Sequence, residues 1–166
     1  MNSPAETTPM RSGLATTAAL RIDALASSDI AAALEVERRS NSHPWSERNF
    51  LDALASGYLC LAARIDGALC GFAIARLLPE EAELLLIAVA PAARRQGIAS
   101  TLWHALAERL RVAGARVMHL EVRASNVGAQ AFYTGLGLAP SGRRPRYYPS
   151  GAHGEREDAV LMQGPL

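Results

Sequence analysis

Arg94-Arg95-Gln96-Gly97-Ile98-Ala99 places two arginines where a helix should begin, directly after an apolar run. A helix N-terminus carries about half a positive charge and several unpaired N–H groups, so cations there are unfavourable unless an anion joins them. A ligand's phosphate is the natural anion. Upstream, Glu83-Leu84-Leu85-Leu86-Ile87-Ala88-Val89-Ala90 is a short apolar run ended by Pro91, the pattern of a strand buried on both faces. Downstream, Ile98, Leu102, Ala105, Leu106, Leu110 and Ala113 recur at helical spacing and Gly114 supplies a stop. The order is therefore strand, basic glycine-containing loop, helix. Gly97 permits close approach of a ligand to the backbone, and Ala99 keeps the first turn narrow. Standing alone, the motif reads equally well as a solvated arginine pair before an ordinary amphipathic helix.

The chain has 166 residues, enough for one domain with a sizeable core and no need of disulfides or metals. A net charge of +1 provides no global field for nucleic acid. Every Lys+Arg residue is arginine, which excludes a Schiff-base or general-base lysine and a lysine-bearing phosphate loop. Cys60 and Cys70 flank the turn signal Asp66-Gly67. A tight hairpin there sets Ile65 opposite Ala68 and Ala63 opposite Cys70, which leaves Cys60 on the other face and makes a disulfide unexpected. Two buried thiols fit a reducing cytoplasm. No stretch is long and apolar enough to span a membrane, so no membrane partner is expected. His43, His104 and His153 lack metal-ligand spacing, so no metal is expected. Residues 1–18, rich in Ala, Thr, Ser and Pro, read as a disordered N-terminal extension without the apolar block of a secretory signal. Residues 19–163 form the expected domain and 164–166 a C-terminal tail.

Along the chain the pattern is strand, helix, helix, a run of strands, then a strand-helix-strand unit, a short helix and two closing strands. Ala19–Leu25 reads as the first strand. Ser27 or Ser28 can cap a helix carrying Ile30, Leu34 and Val36, and Ser46 one carrying Phe50, Leu51 and Leu54. Tyr58–Ile65 and Ala68–Leu77 form a hairpin, Ala82–Ala90 adds a strand, and the long helix runs from about Gln96 to Ala113. Val117–Arg123 is a strand, Asn126 caps a helix to about Leu136, and the last two strands end near Met162. The fold class is α/β, with a mixed, largely antiparallel sheet and helices on both faces.

A second constellation is Leu120-Glu121-Val122-Arg123-Ala124-Ser125-Asn126, followed by Ala131-Phe132-Tyr133. Alternation puts Met118, Leu120 and Val122 on one face of the strand and Val117, His119 and Glu121 on the other. Glu121 is thus a carboxylate within an apolar segment, readable as catalytic or as an arginine-paired residue near a strand end. Asn126 reads first as a helix cap and Tyr133 first as a packing aromatic.

Jointly these segments resemble the GNAT superfamily of acetyl-CoA-dependent N-acetyltransferases. Ile87-Ala88-Val89, then Arg94 to Ala99, then Asn126 and Phe132-Tyr133 through Gly135-Leu136-Gly137-Leu138 follow that superfamily's order and spacing. His43-Pro44-Trp45-Ser46-Glu47, Leu120 to Asn126, Arg146-Tyr147-Tyr148-Pro149 and Glu157-Asp158-Ala159 are similar to the RimI family, the ribosomal-protein-alanine N-acetyltransferases. The resemblance covers about residues 19–163. It implies a single-domain GNAT fold in which the backbone of Ile87, Ala88 and Val89 pairs with the pantetheine arm of acetyl-CoA. It further implies that the Val89 N–H polarises the acetyl carbonyl. Arg94, Arg95, Gln96, Gly97, Ile98, Ala99 and Ser100 would cradle the pyrophosphate, with Asn126 also contacting the cofactor. Ala90 and Arg94 depart from residues common among relatives, polar and glutamine respectively, while leaving a backbone cradle possible.

Acetyl transfer needs a neutral amine, and an α-amino group with a pKa of about 7.7–8.0 loses its proton far more readily than lysine at about 10.4. The resemblance assigns the base, acting through a water, to Glu121 and the acid that protonates the departing CoA thiolate to Tyr133. His119, expected on the same face, could assist or replace Glu121. Tyr147 and Tyr148 would shape the peptide slot, while Glu80, Glu81 and Glu83 read as a solvated turn that could also attract a basic peptide. Arg143, Arg144 and Arg146 lie in no recognised nucleic-acid module, so no direct nucleic-acid partner is expected. The expected activity is acetylation of a ribosomal protein's N-terminal alanine in the cytoplasm. The alternatives are acetylation of other protein N-termini or small amines, and a non-catalytic acyl-CoA sensor.

Overall fold

The computed structural model describes residues 19–149 and 155–166. The N-terminal extension and His153 lie outside the described residues. The elements are β1 (Leu20–Ala24), α1 (Ile30–Ser40), α2 (Glu47–Ala55), β2 (Leu59–Ile65), β3 (Ala68–Leu78) and β4 (Glu81–Val89). There follow α3 (Ile98–Val112), β5 (Val117–Arg123), α4 (Val127–Gly135), β6 (Ala139–Pro149) and β7 (Arg156–Pro165). One mixed sheet results, ordered β1-β2-β3-β4-β5-β7-β6, with β4 and β5 parallel through the α3 crossover and the other neighbours antiparallel. The α/β fold class and helices on both faces agree with the sequence reading.

The period-2 pattern of β2 sorts its side chains between two cores. Leu61 and Ala63 face α3, whose Ile98, Leu102, Leu106 and Leu110 form one apolar stripe. Cys60 and Ala62 face α1 and α2, where Ile30, Leu34, Phe50 and Ala53 meet Phe72 and Ile74 of β3. Phe50 touches Phe72 edge-on at 5.3 Å between centroids and Trp45 at 5.6 Å. Each fully buried leucine of α3 contributes roughly 1.5–3 kcal/mol, so the helix is held chiefly by this face. The two cysteines are free, buried and on opposite faces, and burial pushes Cys60 up to about 11.

Several local expectations are corrected. Ser27 and Ser28 do not cap α1. They lie in a 3₁₀ turn, in which Asp29 accepts from the Ala26 N–H at 2.9 Å while Arg64 holds its carboxylate at 2.7 Å. Leu51 points outward and is 42% exposed. In the hairpin Ile65 does face Ala68, but Ala63 faces Gly71 rather than Cys70, because a β-bulge between Ala63 and Arg64 shifts the register. The long helix starts at Ile98, since Gly97 at φ 78° is its left-handed N-cap. The last strand continues beyond Met162, where Gly164 and Pro165 pair with Met118 and Val117 and Leu166 donates to the Arg116 carbonyl at 2.9 Å. Residues 164–166 therefore complete the sheet.

Candidate active site

The sheet opens in its middle. β4 and β5 pair from Glu81 opposite Val117 to Leu84 opposite Leu120, and there the pairing stops. Beyond that point β4 stays bonded to β3, and β5 to β7, so the gap lies between two well-held strands. The cause is local. Ile74 faces Leu86 and Ala75 faces Leu84, which leaves Leu85 as an extra residue that bends β4 away from β5. The resulting cleft, about 570 Å³, is walled by Leu84–Val89 on one side and Leu120–Arg123 on the other, a size suited to part of a small molecule. This overturns the expectation of a strand buried on both faces: Leu85, Leu86 and Ile87 are only partly buried because they line the opening.

Ile87, Ala88 and Val89 present the free edge of β4. Ala90 donates to the Cys70 carbonyl of β3 at 2.8 Å, so strand alternation directs the Val89 N–H to the cleft side. Gly71 lies behind this edge, where a Cβ would come within 2.9 Å of the Ala88 carbonyl. Arg94 lines the cleft. Its guanidinium turns back to the Val89 carbonyl at 3.1 Å and the Ser40 hydroxyl at 3.2 Å, tying the end of β4 to α1.

The loop before α3 fits an anion through its backbone. Arg95 at φ 61° and Gly97 at φ 78° are both left-handed. The consecutive N–H groups of Arg95, Gln96, Gly97, Ile98, Ala99 and Ser100 have no hydrogen-bond partner among the described residues, and intrahelical bonding resumes at Thr101 N–H to Gly97 carbonyl. A Cβ built on Gly97 meets open space, so a ligand can lie against that backbone. Arg95, Gly97, Ile98, Ala99 and Ser100 line a second hollow that shares Val89, Arg94, Ala99 and Phe132 with the cleft. The Gln96 side chain lines neither, reaching instead toward the Ala92 carbonyl at 3.5 Å. Asn126 caps α4 through Ala129 N–H at 3.1 Å, as expected, and lines the cleft.

Glu121 and Tyr133 both line the cleft. Alternation in β5 buries Met118, Leu120 and Val122 and turns Glu121 to the opening, where Arg144 of β6 pairs with its carboxylate at 3.1 Å. The Tyr133 ring is buried against Trp103 and Phe132, and burial pushes its phenol well above the usual range, with the charge of Tyr148 adding to the shift. His119 does not join them. It lies on the closed part of the β4–β5 ladder, 3.2 Å from a Glu81 carboxylate oxygen without the alignment of a hydrogen bond. Glu81 and Glu83 lie on that same paired part of the ladder, next to the cleft residue Leu84, with Glu83 bound by Arg76 at 2.6 Å.

Tyr148 lines the cleft and Tyr147 does not. Neighbouring residues of a strand face opposite ways. Tyr147 is 40% exposed, stacks over Arg144 at 5.2 Å and meets Tyr148 edge-on at 5.0 Å. Burial and then the nearby Glu121 charge raise the Tyr147 phenol. One lining residue escaped the sequence reading. Glu37 is fully buried, accepting from Asn41 Nδ2 at 2.8 Å and the Trp45 N–H at 3.2 Å, and burial raises its carboxyl. Its helical phase with Ile30, Ala33 and Leu34 was the available signal.

A family model, the acetyltransferase (GNAT) family, matches residues 26–138. The chain belongs to the GNAT family. This GNAT chain is 37% identical over 145 residues to the [ribosomal protein bS18]-alanine N-acetyltransferase of Escherichia coli (strain K12), covering 87% of this chain and 97% of that one. It superposes on the crystal structure of the ribosomal-protein-S18-alanine N-acetyltransferase from Escherichia coli with a TM-score of 0.82 and 36% identity, over 89% of this chain and 94% of that one. The putative acetyltransferase yncA from Salmonella typhimurium, solved with its cofactor acetyl-CoA, shares the fold at a TM-score of 0.72 and 21% identity, over 89% and 94% of the two chains.

Proposed function

We propose that this GNAT protein transfers the acetyl group of acetyl-CoA to the N-terminal α-amino group of a protein, with the alanine that begins ribosomal protein bS18 as its substrate. The observation that carries the reading is the cleft in the middle of the sheet, where a free β4 edge faces Glu121 and Tyr133 across the gap. The likeness to bS18-alanine N-acetyltransferases over most of both chains supports the choice of acceptor. A ribosomal substrate puts the work in the cytoplasm, and no described helix is long and apolar enough to cross a membrane.

The pantetheine amides pair with the open edge of β4 as an added strand would, and the pyrophosphate lies on the N–H row from Arg95 to Ser100. Val89 N–H donates to the thioester carbonyl and stabilises the negative charge that develops as the amine attacks. Glu121 takes a proton from the incoming α-ammonium through a water, leaving a lone pair for attack. The new C–N bond forms, the C–S bond breaks with its electron pair on sulfur, and the Tyr133 hydroxyl protonates the departing thiolate; the second proton shed by the acylated nitrogen restores the Tyr133 phenol through water, and Glu121 returns its proton to solvent. Burial keeps the phenol protonated and also makes it a weaker acid, so its role rests on its place in the cleft. Tyr148, Trp45 and His43 line the cleft, leaving a slot suited to an extended chain with a small first residue.

The test is incubation with acetyl-CoA and peptides beginning with alanine, tryptophan or proline, following release of the CoA thiol. Preferential turnover of the alanine peptide is expected. Equal rates on all three would remove the alanine assignment, and turnover of free small amines alone would remove the protein substrate.

A further inference from the structure

Three separate stretches of sequence converge on one guanidinium that the chemistry above does not use. Arg123, at the end of β5, donates through Nη1 to the Pro149 carbonyl at 2.9 Å and pairs through the same nitrogen with Glu157. Its Nη2 lies 2.9 Å from His43 Nδ1, and its Cζ sits 4.5 Å from the Tyr148 ring centroid. An arginine offers only donors, so His43 Nδ1 accepts in this contact. The four partners come from the α1–α2 loop, the end of β6 and the start of β7. Arg123, His43, Tyr148 and Pro149 all line the cleft.

The end of β6 is held to β7 by Tyr148 opposite Glu157 and Pro149 opposite Arg156, and Arg123 joins it to the α1–α2 loop. β6 is irregular here, with a register shift between Arg144 and Tyr148 and Arg146 at φ 51°. The α1–α2 loop rests on Glu37 from beneath and on Arg123 from the cleft side. A planar fork is the group able to donate in several directions while stacking on a ring, which a lysine's point charge cannot do. The geometry points to Arg123 as the positioning residue that fixes the width of the peptide slot, holding His43 on one wall and Tyr148 on the other. This rests on the N-terminal peptide reading. Arg123 itself transfers no proton. It acts by holding its partners where an extended peptide fits between them, and it leaves the acetyl-CoA contacts on β4 and α3 untouched.

The test compares the wild type with Arg123→Lys, Arg123→Gln and His43→Leu, measuring KM for an alanine-initiated bS18 peptide, KM for acetyl-CoA, kcat and Tm. Misplacing a substrate by about 1 Å costs on the order of a hundredfold, so both Arg123 variants should raise peptide KM by roughly tenfold or more. KM for acetyl-CoA should stay within about twofold, and Lys should fail to rescue although it keeps the charge opposite Glu157. His43→Leu should move peptide KM the same way, and combining it with Arg123→Gln should add little, as for two members of one contact. If neither Arg123 variant folds, the His43→Leu value alone decides. Unchanged peptide KM in a folded variant, rescue by Lys, or parallel rises in both KM values would overturn the inference. A wild type that forms no peptide product would overturn the acetyltransferase reading and this inference together, whereas product with unchanged variant KM overturns this inference alone.

Discussion

Glu121 and Arg144 form an ion pair, carboxylate oxygen to guanidinium nitrogen 3.1 Å, that joins the proposed base to the irregular end of β6. The arginine in turn stacks on Tyr147. The carboxylate is therefore aimed by the substrate-side strand and not by its own strand alone. Glu121→Gln should lower kcat by about ten- to a thousandfold, the range of general-base assistance, with little change in acetyl-CoA affinity. Arg144→Gln should lower kcat less. The double variant should be no slower than Glu121→Gln, since both remove one function. Additive losses in steady-state kinetics would separate the two residues.

Tyr133→Phe keeps the packing against Trp103 and Phe132 but removes the O–H donor. A kcat reduced by roughly ten- to a thousandfold with an unchanged KM for acetyl-CoA is expected. Because burial raises the phenol, the alkaline side of the wild-type pH profile should contain no loss that Tyr133→Phe lacks. A full-rate Tyr133→Phe enzyme would leave thiolate protonation to water.

Acetyl-CoA should stabilise the protein by about 2.7 kcal/mol at a hundred times its Kd, read as a rise in Tm. Gly97→Ala adds a Cβ where the cradle is open and strains a backbone at φ 78°. Gly67→Ala is the control, since Gly67 has a similar φ of 84° with open space around it in the β2–β3 turn. Both should lower the ligand-free Tm, each backbone costing roughly 1–2 kcal/mol. Only Gly97→Ala should shrink the rise with acetyl-CoA.

Two carboxylates should pull stability in opposite directions with pH. Arg123 hydrogen bonding holds Glu157 below its ordinary value, so its contribution is present above the unfolded pKa of about 4.3 and is lost as pH falls through the lower folded value. Burial raises Glu37, so its folded form favours the proton and stability falls as pH climbs from the unfolded value through the higher folded one. Denaturant unfolding should show Glu157→Gln losing stability at neutral pH but not in strong acid. Glu37→Gln should flatten the decline between mild acid and neutrality.

Much of this site could be read from local pattern. Alternation alone set Glu121 opposite Met118, Leu120 and Val122, and the apolar spacing after Gly97 placed α3, with its start set at Gln96, two residues before Ile98. What escaped depends on how strands meet. No residue in β4 announces the bulge at Leu85, because the extra residue exists only relative to the register of β3. The bonds of Arg94 to the Val89 carbonyl and Ser40 could not be read either, since they depend on how α1 meets the end of β4. Glu37 sits among Glu35, Arg38 and Arg39 and reads as a surface charge, yet those three are exposed, Glu35 pairing with Arg39 at 2.7 Å, while Glu37 is buried. Arg123 shows its meaning only when residues 26, 34 and 80 positions away arrive together.

The most direct measurement is fragment mass mapping of an alanine-initiated bS18 peptide that also contains lysine, after incubation with acetyl-CoA and the purified protein. The expected result is one acetyl group on the terminal α-nitrogen, absent when Glu121→Gln replaces the wild type under matched short incubation. Acetyl groups on lysine side chains, with the terminal nitrogen left free, would contradict it.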